Sequence, residues 1–186
     1  DIGYTTKMQG AYEALVALPG APMRFAVYTQ TTEPDAEAQL SSAASPDWLR
    51  KNGVKFWADG SPWLGSISSS YPFLDSPATR AAGFTYLNPG LKAMNYTKEE
   101  LDALVERFAG SGWQIACHVN GDLGLDLVLD AMEAALTTHN LLGTDHRWRL
   151  EHVGSAEPRH YARMAKLGIV PTRGIFQMMQ WGDLLD

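Results

Sequence analysis

The stretch Trp113 to Asp130, WQIACHVNGDLGLDLVLD, constrains the fold more than any other. Ile115 to His118 is short and mostly apolar, and reads as a buried strand. Asn120-Gly121 makes the turn that follows. Leu125, Val128, Leu129, Met132 and Leu136 then recur at helical spacing, with Asp122 expected to cap the helix start. His118 therefore stands at the carboxyl end of a strand. In parallel α/β folds that end collects ligands and reacting groups, because the βα loops and helix N-termini converge there.

The rest of the chain repeats this unit. A helix is expected over 6–18, closed by Pro19-Gly20, and a first strand over 23–29, MRFAVYT. Residues 33–40 and 46–51 have helical patterns, Asn52-Gly53 reads as their stop, and a second strand covers 54–58. From Ser61 to about Tyr96 runs an irregular segment rich in Gly, Pro, Ser and aromatics. Its length suggests a substrate loop or lid, and its Trp63, Tyr71, Phe73, Phe84 and Tyr86 argue against disorder. Thr97-Lys98-Glu99-Glu100 is a capping box, with Leu101, Leu104, Val105 and Phe108 on one face of the helix it opens. A fourth strand is expected over 147–152, a helix over 157–167, a fifth strand over 169–172 and a last short helix over 175–185. This alternation implies a parallel sheet with helices on its outer surface.

At 186 residues the chain is most simply a single domain. Fifteen Lys and Arg against 21 Asp and Glu leave a net charge of −6, which offers no footprint for nucleic acid or anionic lipid. A small-molecule substrate is the expectation. The single cysteine, Cys117, excludes an intrachain disulfide framework. No apolar run approaches a membrane span and no opening segment has the pattern of a signal peptide, so a cytoplasmic location is expected. The first residue is Asp1 rather than methionine, and a missing upstream segment is expected.

Two strands end in histidine, His118 and His152, and about one βα unit of roughly 30 residues or more separates them. They are expected at equivalent positions on adjacent strands. Imidazoles converging from neighbouring strand ends suit a divalent metal such as zinc, which lowers the pKa of bound water and polarises a carbonyl. Hydrogen-bonded core or loop histidines are the competing reading. The second strand places Lys55, Trp57 and Asp59 on one face. His139, His146 and His160 read as surface residues, and Glu151, on the strand face opposite His152, as a packing or supporting residue.

Four segments resemble, in order, the motifs of amidohydrolase family 3, a branch of the metal-dependent amidohydrolases that contains N-substituted formamide deformylase-like enzymes. They are Val54-Lys55-Phe56-Trp57-Ala58-Asp59-Gly60-Ser61, His118-Val119-Asn120-Gly121-Asp122, Arg149-Leu150-Glu151-His152 and Met164-Ala165-Lys166-Leu167-Gly168-Ile169. The resemblance implies a (β/α)8 TIM barrel with one or two metal ions at the carboxyl end of its strands. It implies that His118 and His152 are metal ligands, and that Lys55 matches the lysine carboxylated in many members to bridge two metals; a strand lysine reaching to solvent is the alternative. Asp122 either caps its helix and holds the turn that aims His118, or acts in catalysis. Trp63, Tyr71 and Phe73 either wall a pocket for an amide-type substrate or anchor their loop.

The chain departs from the family's pattern in two places. No His-x-His pair occurs, and neither Asp183 nor Asp186 can be assigned as the last-strand aspartate that serves as general base, which is expected outside the chain. The expectation is thus a partial barrel: about five parallel strands with outer helices, all of 1–186 belonging to the hydrolase barrel domain. A partial barrel leaves strand edges open, so a homodimer through those edges, weak metal binding and an inactive chain are expected. The alternative is a non-catalytic half-barrel serving as a binding or assembly module.

Overall fold

A computed structural model describes residues 3–21, 23–84, 87–175 and 179. Five strands, β1 (Phe25–Gln30), β2 (Leu49–Trp57), β3 (Gln114–Val119), β4 (Arg149–His152) and β5 (Val170–Thr172), form one sheet. All pairs are parallel and the spatial order is the chain order, β1-β2-β3-β4-β5. Each connection therefore steps one strand along the same sheet, as in the wall of a barrel. The sheet is a partial TIM-type barrel, as the sequence led us to expect.

Strand alternation divides the side chains between two environments. Val54, Phe56, Ile115, Cys117, Val119 and Leu150 face the helices and are fully buried. They pack against α3 (Lys98–Gly110), α4 (Asp122–Thr138) and α5 (Pro158–Leu167) through Leu101, Val105, Phe108, Leu125, Leu129, Met132, Met164 and Leu167. The register pairs Lys55 with Ala116 and Ala116 with Arg149, then Trp57 with His118 and His118 with Glu151. Those residues share the opposite, inner face, which is polar and charged. Glu151 thus stands beside His118.

Helix α3 begins as its sequence dictates: Thr97 Oγ1 accepts the Glu100 N–H at 3.2 Å, and Glu100 Oε2 accepts the Thr97 N–H at 2.8 Å. At the N-terminus a 3-10 turn, Thr6–Met8, precedes α1 (Gln9–Val16). The long segment after β2 carries structure of its own, including α2 (Pro77–Ala81) and a T-shaped contact of Phe73 with Phe84 at 5.0 Å. Tyr86, Asp183, Asp186 and most of the expected helix over 175–185 lie outside the described residues.

Between β1 and β2 the expected helices over 33–40 and 46–51 are replaced by turns, and β2 begins at Leu49. Carbonyls that a helix would have used internally are taken instead by a tertiary partner. The buried Lys51 ammonium donates to Ala36 O at 2.5 Å and Ala38 O at 2.8 Å. Nor does Asn52-Gly53 stop an element. Val27 pairs with Lys51 and Tyr28 with Gly53, so Asn52 is the extra residue of a bulge inside β2. Gly53 is needed because β3 passes close: a Cβ there would lie 2.1 Å from Gln114 O. Gly53→Ala must push β2 off β3, and we expect a loss of about 3 kcal/mol, at the upper end of overpacking costs, measurable as a lowered urea midpoint.

Candidate active site

Three strand ends build the site. β2 contributes Lys55 two residues before its end, β3 contributes His118 next to its end, and β4 ends on His152. The imidazoles of His118 and His152 meet edge to face, with ring centroids 4.6 Å apart and planes at 67°. Regular alternation would have sent His152, which pairs with Val119, to the helix side. Its backbone instead takes a left-handed conformation, φ +74°, followed by Val153 at +47°. That conformation is unfavourable for non-glycine residues and is held here by the Val153 N–H donating to Val119 O at 3.0 Å.

Lys55 is 1% exposed, and its Nζ has no hydrogen-bond partner among the described residues. It lies 5.2 Å from the centroid of the Trp57 ring. Burial, assisted by the Arg149 guanidinium, pushes its pKa down to about 8, against the pull of Cys117 and Glu151. Burial likewise lowers His118 to about 4, helped by the nearby His152 and Lys55 and opposed by the Gly60 carbonyl, so this ring is neutral at pH 7. Arg149 Nε stands 2.6 Å from the buried Glu151 Oε1 as an ion pair, with its guanidinium 4.5 Å over the Tyr28 ring.

Asp59 ties the loops behind these side chains together. Its buried carboxylate accepts the N–H groups of Ser68 (3.1 Å), Asn120 (2.8 Å) and Gly121 (2.8 Å). Burial raises its pKa to about 6, while the three donors pull the other way. The adjacent Gly60 carbonyl lies 2.8 Å from His118 Nε2 and accepts from Asn120 Nδ2 at 2.9 Å. In the sequence Asp59 is legible only as a strand-face residue before a turn. An aspartate just past a strand end and before glycine is the available signal, but two of its three donors, Asn120 and Gly121, come from far along the chain.

The role expected of Asp122 as helix cap is corrected. Gly121 is the N-cap of α4, and a Cβ there would lie 2.0 Å from Ser68 O. Asp122 is the first helical residue, and its Oδ1 accepts the Ser70 N–H at 2.9 Å, pinning the long loop to α4. Loop packing took the carboxylate that capping would have used. Tyr71, on that loop, is half-exposed and reaches Ser155 Oγ at 2.5 Å, bridging to the segment after β4. Trp63 is 38% exposed on a 3-10 turn, Pro62–Leu64, that follows Asp59-Gly60 closely. His160 is not at the surface: it is 1% exposed and closes a capping box with Glu157. His139 and His146 are half-buried, bonded to Glu106 and to Leu167 O.

A family model described as the amidohydrolase family matches residues 3–179, nearly the whole chain. The chain belongs to this family. The Arabidopsis thaliana protein LONG AFTER FAR-RED 3 is 32% identical over 148 residues, 78% of this amidohydrolase chain and 23% of that protein. The N-substituted formamide deformylase of Arthrobacter pascens is 35% identical over 91 residues, 49% of this chain and 16% of the enzyme. Crystal structures of uncharacterized metal-dependent hydrolases from Pyrococcus furiosus and Pyrococcus horikoshii superpose with TM-scores of 0.65 and 0.67 at 22% and 21% identity. Each alignment covers 98% of this chain and 35% of the other, and supports the barrel-wall fold. The chain thus spans less than a quarter of the curated relatives it matches and about a third of the solved ones.

Proposed function

We propose that this chain forms part of a metal-dependent hydrolase barrel domain that cleaves the C–N bond of an amide or N-formyl compound. The observation that carries the proposal is the meeting of His118 and His152 at 4.6 Å on adjacent strand ends. The residues present fit a divalent ion, for which zinc is our choice. Burial holds the His118 imidazole neutral, as ligation requires, and Lys55 presents a buried nitrogen with no hydrogen-bond partner among the described residues. Among the described residues no three His, Cys, Asp or Glu side chains converge, so the set is two imidazoles and an amine. When bound, the ion supplies a water of lowered pKa and polarises the scissile carbonyl.

The chain's own groups then divide the remaining work. His118 and His152 hold the ion from two strands, so its position follows the stiff sheet rather than a loop. Lys55, once its amine is neutral, adds carbon dioxide with loss of a proton and becomes an anionic oxygen donor facing the same space. Asp59 and Asp122 keep the loop after β2 against α4, and Tyr71 and Trp63 on that loop wall the substrate's entry. The substrate class follows the relative named for formamide deformylation. A small, uncharged amide also suits a chain of net charge −6 better than an anionic substrate.

The test is metal content. His118→Ala and His152→Ala are each expected to lower bound zinc, measured by atomic emission after gel filtration, with the fold checked by circular dichroism. Unchanged zinc in both variants overturns the reading.

A further inference from the structure

Asn120 is 3% exposed, and it touches all three loops that leave the site strands. Its N–H donates to Asp59 Oδ1 in the loop after β2. Its carbonyl accepts the Ser155 N–H at 2.8 Å in the loop after β4. Its side-chain Nδ2 donates to Gly60 O at 2.9 Å and stands 3.2 Å from His118 Nε2. Gly154, opposite the amide oxygen, has no room for a side chain: a Cβ there would come within 2.8 Å of Asn120 Oδ1. The amide is therefore boxed in on both sides.

These contacts have one consistent assignment of hydrogens. Gly60 O only accepts, so the amide must turn its NH2, not its oxygen, toward that carbonyl. The 2.8 Å contact between Gly60 O and His118 Nε2 likewise requires a proton on Nε2. Two donors, Nδ2 and Nε2, then share the two lone pairs of one carbonyl, and the 3.2 Å between them is a packing contact. A neutral ring protonated at Nε2 has its lone pair on Nδ1 alone.

We propose that Asn120 is a positioning residue which, by anchoring the Gly60 carbonyl against His118, locks that ring as the Nε2–H tautomer and leaves Nδ1 as its single ligating nitrogen. The consequence for metal rests on the function proposed above; the tautomer does not. Outer partners that fix a ligand histidine are worth roughly 10- to 100-fold in metal affinity, and Asn120 has that role without touching the ion.

The experiment is long-range 1H–15N NMR on the metal-free protein at pH 7, with histidine labelled and His118 assigned by its absence in His118→Ala. In the wild type we expect the Nε2–H tautomer as the single form. In Asn120→Ala we expect a mixture of tautomers, a zinc Kd raised 10- to 100-fold, and an unchanged amide spectrum away from the three loops. A wild-type His118 protonated at Nδ1 overturns the proposal whether or not any variant folds. So does an Asn120→Ala ring that stays wholly Nε2–H with unaltered zinc affinity. If the wild-type tautomer is as expected but His118→Ala keeps its zinc, the metal assignment has failed and the locked tautomer stands.

Discussion

Replacing Lys55 by methionine is expected to make the metal-free protein more stable and, at the metal site proposed above, to weaken zinc binding. The ammonium is 1% exposed with no hydrogen-bond partner among the described residues. Its pKa falls from 10.5 to about 8, so the folded state disfavours its charge. At 1.36 kcal/mol per pH unit, that amounts to about 3 kcal/mol of stability forgone at pH 7. The folded pKa lies below the unfolded one, so between pH 8 and 10.5 the unfolded chain binds more protons. Wild-type stability therefore rises across that window, and Lys55→Met, which has nothing to titrate there, starts higher and stays flat. Urea unfolding at pH 7 and pH 10 measures both: a gain of about 3 kcal/mol at pH 7 shrinking toward zero at the higher pH. Zinc affinity should fall by more than the roughly 10- to 100-fold typical of outer partners. A destabilised Lys55→Met at pH 7 would show that the buried amine has a partner after all. Opposite effects on stability and binding mark a residue kept for its chemistry, since a purely structural lysine would not improve the fold by its removal.

Asp59→Ala is expected to cost about 4 kcal/mol or more. The substitution strands three buried N–H groups, from Ser68, Asn120 and Gly121, and each donor left without an acceptor costs about 1–3 kcal/mol. The loop after β2 should then detach from the start of α4, which hydrogen exchange at Ser68 and Gly121 would report. Asp59→Asn keeps one acceptor oxygen and should lose about half as much. The two variants also separate the pH dependence. Burial raises the Asp59 pKa from 3.8 to about 6, so protonation favours the folded state. Its contribution is fully present below about pH 4 and is lost as pH rises through 6. Asp59→Asn, having no proton to lose, should remove that slope, and its deficit relative to wild type should be larger at pH 4 than at pH 7. A deficit independent of pH would mean that the N–H donors just offset burial, and one larger at pH 7 that they outweigh it.

Much of the site was legible in the sequence because it depends on short-range periodicity. A strand of period two, a turn and a helix of period 3.6 locate His118 and His152 at strand ends without any coordinates, and the Thr97–Glu100 box starts α3 as its residue types require. What escaped are the places where a distant backbone competes for the same groups. Asn52-Gly53 is ordinary turn chemistry by itself, yet it sits inside β2 because β3 presses Gln114 O against Gly53. Residues 33–40 have a helical pattern, yet Lys51 draws off the carbonyls of Ala36 and Ala38. Asp122 has the residue type of a cap, yet its carboxylate holds Ser70.

The sequence by itself therefore determined the parallel α/β class and which residues reach the strand ends, since local alternation and amphipathicity carry that information along the chain. Tertiary structure alone decided that His152 turns out of alternation to meet His118, that Lys55 is left without a hydrogen-bond partner among the described residues, and that Asp59 and Asn120 bind three loops into one support. The physical reason is that left-handed backbone, buried charge and shared carbonyls are unfavourable in isolation. They persist only where neighbouring strands, tens of residues away in sequence, supply the compensating contacts.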